Sequence, residues 1–415
     1  MIRLTNRYKY FYFLLAVIFC LLLNNKTAAQ GKYFVTTNAK NITYDGEPIM
    51  LEGINLGNWL VPEGYMFKFK STNSYRLIND LINELVGPSE AAEFWKTYRK
   101  RYITEKDIQF IKSTGLNSVR IPFNYKLFVS EEHPGVWYDE GFQLLDKVIG
   151  WCRENKLWVI LDMHCAPGGQ TGDNIDDGWG YPFLFTSAES QNLTAQLWKK
   201  IADRYKGEKI VIGYDILNEP IAPFFNTDEL NKNLEPVYKK IVAAIREVDT
   251  NHVIILGGAQ WDSNFKVFGK PFDSKSIYTF HKYWSDTTRT VIQEYLDFRD
   301  KYKVPIWLGE SGENSDKWIS SFRNLLEKNN IGWCFWPYKK MDAPTCMVSV
   351  SMPANYEAII KYAESPRKTF EEIRKDRPSQ ELVDKTLKDY LDNIEFKNCK
   401  INEEYLKALG LKNIN

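Results

Sequence analysis

Short apolar runs alternate with longer amphipathic ones along most of this 415-residue chain, and that alternation limits the possible folds more than any other feature. The apolar runs lie at 49–57, 118–123 (SVRIPF), 158–164 (WVILDMH), 211–219 (VIGYDILNE), 252–258 (HVIILGG), 277–284 (IYTFHKYW), 305–312 (PIWLGESG) and 331–338 (IGWCFWPY). Between them, segments such as 104–115, 138–155, 192–207, 234–249 and 319–330 carry apolar residues at helical spacing, and several close near Gly or Asn. A strand that returns to its neighbour through a helix runs parallel to it. Eight such units predict an α/β chain folded as a (β/α)8 TIM barrel.

The flanks read differently. Residues 1–29 place Arg3, Arg7 and Lys9 before an apolar run over Phe11–Leu23, followed by Thr27, Ala28 and Ala29. This is the layout of a cleaved secretory signal peptide, because the run falls short of the ~20 residues that span a bilayer. Cys20 follows Phe19, where a lipoprotein signal needs a small residue, which argues against a lipid anchor. Beyond it, YDGEP joins two β-prone runs and predicts an N-terminal β-hairpin ahead of the barrel. The barrel domain is expected over 30–375. From Ser365 the composition becomes charged, and 376–415 is expected to form a solvent-facing helical extension.

Charge excludes some partners. Lys and Arg (54) balance Asp and Glu (53), so the net charge of +1 offers nothing to draw a nucleic acid or an anionic membrane. Aromatics reach 15% with 13 Trp, a surplus that suits ligands with an apolar face, as sugar rings have. The five cysteines beyond the leader are odd in number and lack CxxC spacing, so neither a cystine framework nor a zinc site is indicated. Cys165 and Cys334 read as core residues.

In a barrel, chemistry sits at the carboxyl ends of the strands. Those ends supply Arg120, His164, Asn218 with Glu219, His281 with Tyr283, Glu310, and Trp336. Burying such groups without partners is costly, so strand propensity does not explain them. Glu219 and Glu310 are the central pair, because retaining glycosidases place two carboxyls about 5–5.5 Å apart across the bond they break. Trp333 and Trp336 fall on opposite faces by alternation, which leaves Trp336 for the site and Trp333 for packing. His133 and His252 read as surface or core residues.

With NEP at 218–220, HKY at 281–283, GES at 309–311, DMH at 162–164 and a closing FW at 335–336, the chain resembles glycoside hydrolase family 5, the cellulase-type clan A retaining β-glycosidases. The resemblance covers about Leu51–Tyr338. It implies that Glu219 is the acid/base and Glu310 the nucleophile. It further implies that Asn218 bonds the sugar 2-hydroxyl, Arg120 and Tyr283 hold Glu310, His281 sits by Glu219, His164 contacts substrate and Trp336 underlies the sugar. No cofactor or metal is expected.

LEGINLGNWL (51–60) and HCAPGGQTGD (164–173) resemble the exo-β-1,3-glucanase-like members, although Asn58 stands where those carry Gly. The expected partner is therefore a β-glucan, cleaved from an end, with endo-β-1,4-glucanase or mannanase action as alternatives. A non-catalytic glycan-binding barrel and a transglycosidase also stay open. The loop with Trp179, Tyr181 and Phe183 is expected to shape the cleft. Its Asp173, Asp176 and Asp177 lack the alternation of a calcium loop, since Ile175 takes the third place. Glu52, Glu63, Trp59, Trp137, Trp261 and Trp284 are further candidates for sugar contacts.

Overall fold

Eight parallel strands close on themselves in the computed structural model, which describes residues 33–412. They are β4 (Glu52–Asn55), β5 (Ser118–Asn124), β6 (Trp158–Cys165), β7 (Val211–Asp215), β8 (Val253–Gly257), β9 (Ser276–His281), β10 (Ile306–Glu310) and β11 (Gly332–Phe335). β11 pairs with β4, so no edge is left open. Helices lie between successive strands, among them Glu105–Ser113, Glu140–Glu154, Ala188–Tyr205, Thr227–Arg246 and Asp316–Lys328. The expected (β/α)8 barrel is the observed fold. Two helices that the strand and helix pattern did not single out, Tyr75–Val86 and Pro88–Tyr102, fill the connection between β4 and β5.

The expected hairpin is a three-stranded antiparallel meander: β1 (Thr36–Asn38), β2 (Asn41–Tyr44) and β3 (Glu47–Ile49). Asp45 and Gly46, both at positive φ, turn β2 into β3. Tyr44 packs edge-on against Trp158 at the start of β6, and Phe34 against His252 just before β8. The meander therefore covers the amino-terminal end of the barrel and leaves the other end open.

The C-terminal segment departs from expectation, for it is not solvent-facing along its inner side. Helix Gln380–Asn393 buries Val383, Leu387 and Tyr390, and the Tyr390 ring stacks on Tyr98 and Phe94 of helix Pro88–Tyr102. Lys400–Ile401 (β14) then pairs with Val348–Val350 (β13), which pairs with Lys339–Met341 (β12) directly after the last barrel strand. Its charged residues occupy the outward face of an amphipathic helix, which composition alone cannot separate from a free one.

Among the described residues no helix is long and apolar enough to cross a membrane. The signal-peptide reading of residues 1–29 lies outside the described residues. Cys152, Cys165, Cys334 and Cys346 are buried free thiols.

Candidate active site

Two strand irregularities aim side chains at the open end. On β6, Phe123 pairs with Met163 and Asn124 with Cys165, so His164 is the extra residue. On β10, Leu308 pairs with Phe280 and Glu310 with His281, so Gly309 is bulged and Glu310 comes beside His281. Bulges of this kind re-aim side chains next to functional sites. β7 ends at Asp215, four residues short of the expected Glu219. Ile216 and Asn218 still donate backbone bonds to neighbouring strands, but Glu219 has φ of 46° and cannot continue a ladder.

Arg120 does not stand at a strand end. It is the third residue of β5, fully buried, and reaches up through the barrel. Its Nη1 donates to Glu310 at 2.5 Å and to Asn55 Oδ1 at 3.0 Å, its Nη2 to Asn218 Oδ1 at 2.9 Å, and its Nε to Asp215 at 2.8 Å. Asp162 adds a further carboxylate 3.1 Å from Nη2. Burial pushes Asp162 and Asp215 up to about 7 despite the guanidinium. A planar, permanently charged fork with five donors suits this network in a way lysine does not.

Glu310 also accepts from the Tyr283 hydroxyl at 3.1 Å. Across the cavity, Glu219 Oε1 lies 3.0 Å from His281 Nδ1, and ligand atoms of Glu219, His281 and Glu310 all fall within 4.8 Å of one another. Three such groups could in principle ligate a cation, but Arg120 and Tyr283 already engage Glu310. Glu219 is pushed up to about 7, chiefly by burial, while burial lowers His164 to about 4 and His281 to about 3, so both imidazoles are neutral at pH 7. His164 Nδ1 faces Asp162 at 2.8 Å and its Nε2 faces Asn218 Nδ2 at 3.4 Å.

Trp336 stacks parallel to His164, with ring centroids 5.6 Å apart, and donates from Nε1 to the Tyr65 hydroxyl at 2.7 Å. Its ring lies on Gly57, where an added Cβ would come within 2.5 Å of the indole. Trp333 points away, bonded to Glu327.

These groups line a cavity of about 870 Å³ together with Glu63, Asp173, Ile175, Trp261, Trp284 and Glu313. One carboxyl sits beside a fixed cation and a phenol; the other has a neutral imidazole as its side-chain partner, a setting that favours its protonated form. Such a pair can act on a polar bond held between them.

Residues 79–342 match the profile of Cellulase (glycosyl hydrolase family 5). The chain belongs to that family. This family 5 glycoside hydrolase is 27% identical over 367 residues to a β-xylosidase of Phanerodontia chrysosporium, covering 79% of this chain and 75% of that one. It is 28% identical to endoglucanase C of Acetivibrio thermocellus (61% of this chain, 89% of that one) and 28% identical to a glucan 1,3-β-glucosidase of Lachancea kluyveri (56% of each). The barrel also superposes on a rutinosidase from Aspergillus niger with a TM-score of 0.56 at 19% identity, covering 70% of this chain and 90% of that one, a likeness of fold.

Of the residues singled out for this glycoside hydrolase, Glu219, Glu310, His164, His281, Tyr283 and Trp336 line one cavity, and Arg120 and Asn218 are joined just beneath it. Glu63, Trp261 and Trp284 also line it. Glu52 does not: it begins β4, at the closed end, near Glu327 and Arg323. Trp59 is buried with its Nε1 on the Arg99 carbonyl, and Trp137 lies under Lys200. The loop after β6 reaches the cavity through Asp173 and Ile175 instead of its aromatics, since Trp179 turns to Glu131 and Arg76, and Tyr181 packs on Phe225. Asp176 uses its oxygens on the backbone N–H groups of Thr171, Gly172 and Gly178, which organises that loop. His252 is the expected core histidine, held by Asp249 and the Glu208 carbonyl.

Sequence reasoning missed Asn55, Asp162, Asp215 and Asp262. The first three had a signal, since each is a polar residue within an apolar strand run. Asp262, beyond β8, had none.

Proposed function

We propose that this glycoside hydrolase is a retaining β-glycosidase that releases sugar from the end of a β-1,3-linked glucan by double displacement. The observation that carries the reading is the Glu219–Glu310 pair, with oxygens within 4.8 Å and no intervening room for a water on the opposite face of a sugar. Glu219, pushed up to about 7, protonates the leaving oxygen; Glu310, held by Arg120 and Tyr283, attacks the anomeric carbon. When the glycosyl–enzyme bond forms, the charge on Glu310 disappears, and Glu219 as carboxylate draws a proton from the incoming water. Asn218 holds the 2-hydroxyl, His164 contacts the sugar and Trp336 lies beneath it.

Support for action from a chain end is drawn from the fixed polar groups in the cavity wall that includes Trp336. There Tyr65 is bonded to the indole, Glu63 is buried, and Glu313 is clamped by Lys340. The glucan 1,3-β-glucosidase among the relatives points the same way. The reading includes export through residues 1–29, supported by the layout of that segment.

Digests of laminarin, cellulose, xyloglucan and mannan test it. A single sugar of retained anomeric configuration, released from laminarin at early times, is expected. A ladder of oligomers from cellulose would replace this reading with an endoglucanase, in keeping with the relative from A. thermocellus. Inverted product would end the double-displacement reading.

A further inference from the structure

Just past β8 the chain makes a turn that residues with a Cβ rarely make. Gln260, Trp261 and Asp262 have φ of 51°, 58° and 58°, three consecutive left-handed residues without a glycine. Such conformations persist only where the surroundings impose them, and they cluster at functional sites. Here Gln260 exchanges two side-chain bonds with Asn231 and accepts a third from Asn264, which fixes the turn from outside. The result is that Trp261 faces the cavity mouth while Asp262 points inward with no solvent exposure.

The inward carboxyl is placed with some care. Its Oδ2 accepts the Glu219 backbone N–H at 3.2 Å and lies 3.3 Å from His281 Nε2. Its Oδ1 occupies the space of a missing side chain at Gly257, where a Cβ would come within 1.8 Å. Asp262 Oδ1 and His281 Nε2 are both buried without an aligned hydrogen-bond partner, although they belong to touching groups. A proton on Oδ2, the carboxyl oxygen beside the ring, satisfies Nε2, while Oδ1 stays against Gly257.

We propose that Asp262 is a positioning residue: it carries its own proton, donates it to His281 Nε2, and so keeps the ring hydrogen on Nδ1, facing Glu219 Oε1. The inference rests on the reading of Glu219 as the acid/base. The groups facing Asp262 favour its protonated form. Asp215 and, whenever it is ionised, Glu219 are like charges, Tyr238 and Tyr295 are neutral phenols and His281 is neutral; against them stand only the Glu219 backbone N–H and Arg120, which is engaged by Asp162, Asp215 and Glu310. Burial pushes its carboxyl well above the usual range.

The arrangement fits both steps. With Nδ1–H directed at Oε1, the Glu219 proton stays on Oε2 and passes to the leaving oxygen as the glycosidic bond breaks. In the second step Glu219 takes one proton from water, and Nδ1–H still faces its carboxylate. The Asp262 and His281 protons stay in place throughout. In the opposite tautomer Nδ1 would compete with the leaving group for the Glu219 proton.

The chain has four histidines, so 15N-histidine NMR can read the tautomer directly, with His281→Gln used to assign the signal. A protonated Nδ1 and a bare Nε2 are expected at neutral pH; the reverse would overturn the proposal. Kinetics on phenyl and dinitrophenyl β-glucosides supply a second readout. Asp262→Ala should lose on the order of 10- to 100-fold on the phenyl substrate, little on the activated one, and show a displaced alkaline limb. Asp262→Asn still donates to Nε2 and should restore most of the rate and the original pH profile. Equal losses in both variants, or wild-type behaviour of Asp262→Ala, would sink the idea. If the alanine variant does not fold, the asparagine variant and the NMR tautomer decide. Failure of the underlying reading looks different: Glu219→Ala would then show no dependence on leaving group.

Discussion

The Arg120 guanidinium meets the Glu310 carboxylate at 2.5 Å from a position with no solvent exposure, while Asp162 and Asp215 hold its other nitrogens. One cation thus serves three carboxyls. Arg120→Lys keeps the charge but cannot reproduce the fork, so Glu310 loses a donor that is aimed before substrate arrives. The expected result is a fall in kcat on the order of 10²–10³, with KM changed far less. Arg120→Ala leaves buried carboxyls unpaired and should lower stability by about 3–5 kcal/mol, read by denaturant unfolding. An Arg120→Lys variant with wild-type kcat would show that the contact does not support catalysis.

Glu219, pushed up to about 7 by burial, sets a pH limit. In the proposed acid role it works only while protonated, so kcat/KM should hold below pH 7 and fall tenfold per unit well above it. The charge on Glu310 is lost in the covalent intermediate, which removes a reason for Glu219 to hold its proton there. The hydrolysis of that intermediate needs Glu219 ionised and should therefore hold at alkaline pH where its formation fails, falling only on the acid side. Pre-steady-state measurements on an activated aryl glucoside separate the two steps, and a shared pH profile would count against the assignment.

Trp336 has little freedom: Tyr65 holds its Nε1, His164 lies parallel to it, and Gly57 lies against the ring. Gly57→Ala places a methyl carbon within 2.5–2.9 Å of three indole atoms. Because the ring is pinned on its other sides, it must tilt, and the surface proposed to lie under the sugar tilts with it. We expect KM to rise roughly tenfold, about 1.4 kcal/mol, with kcat on bound substrate less affected. Glucose inhibition should weaken in parallel; unchanged values of both would mean that Trp336 does not carry the sugar.

How far the sequence could be read follows from which periods it carries. The eight staves were legible because a two-sided buried strand leaves an unbroken apolar run, and polar residues such as His164, His281 and Glu310 interrupt those runs where the mouth begins. Helices Tyr75–Val86 and Pro88–Tyr102 were not, since Phe94 and Tyr98 pack on the distant Tyr390, which no local pattern announces. The aromatic loop misled for a similar reason. Trp179 and Tyr181 have the chemistry of sugar platforms, but Arg76, Glu131 and Phe225 take their faces. Asp262 was invisible because its place depends on three left-handed residues in a row.

Glu63 offers a test in which stability and activity move in opposite directions. Its backbone N–H is held by Asn58, its side chain is buried in the cavity wall, and Oε1 has no hydrogen-bond partner. Burial, and next the Glu310 charge, push its carboxyl well above 4.5. The folded chain therefore holds a proton that the unfolded chain releases above its ordinary value, so this group's contribution to stability falls as pH rises past 4.5. Glu63→Gln removes the ionisable group, and its Tm should exceed that of wild type by a few degrees at pH 8, with a smaller gain at pH 4. A carboxyl kept unpaired at such a cost needs a partner that arrives with the substrate, and sugar hydroxyls are suited to it. Glu63→Gln should accordingly raise KM for the glucan while stabilising the fold. A variant stabilised with KM unchanged would remove Glu63 from the binding surface.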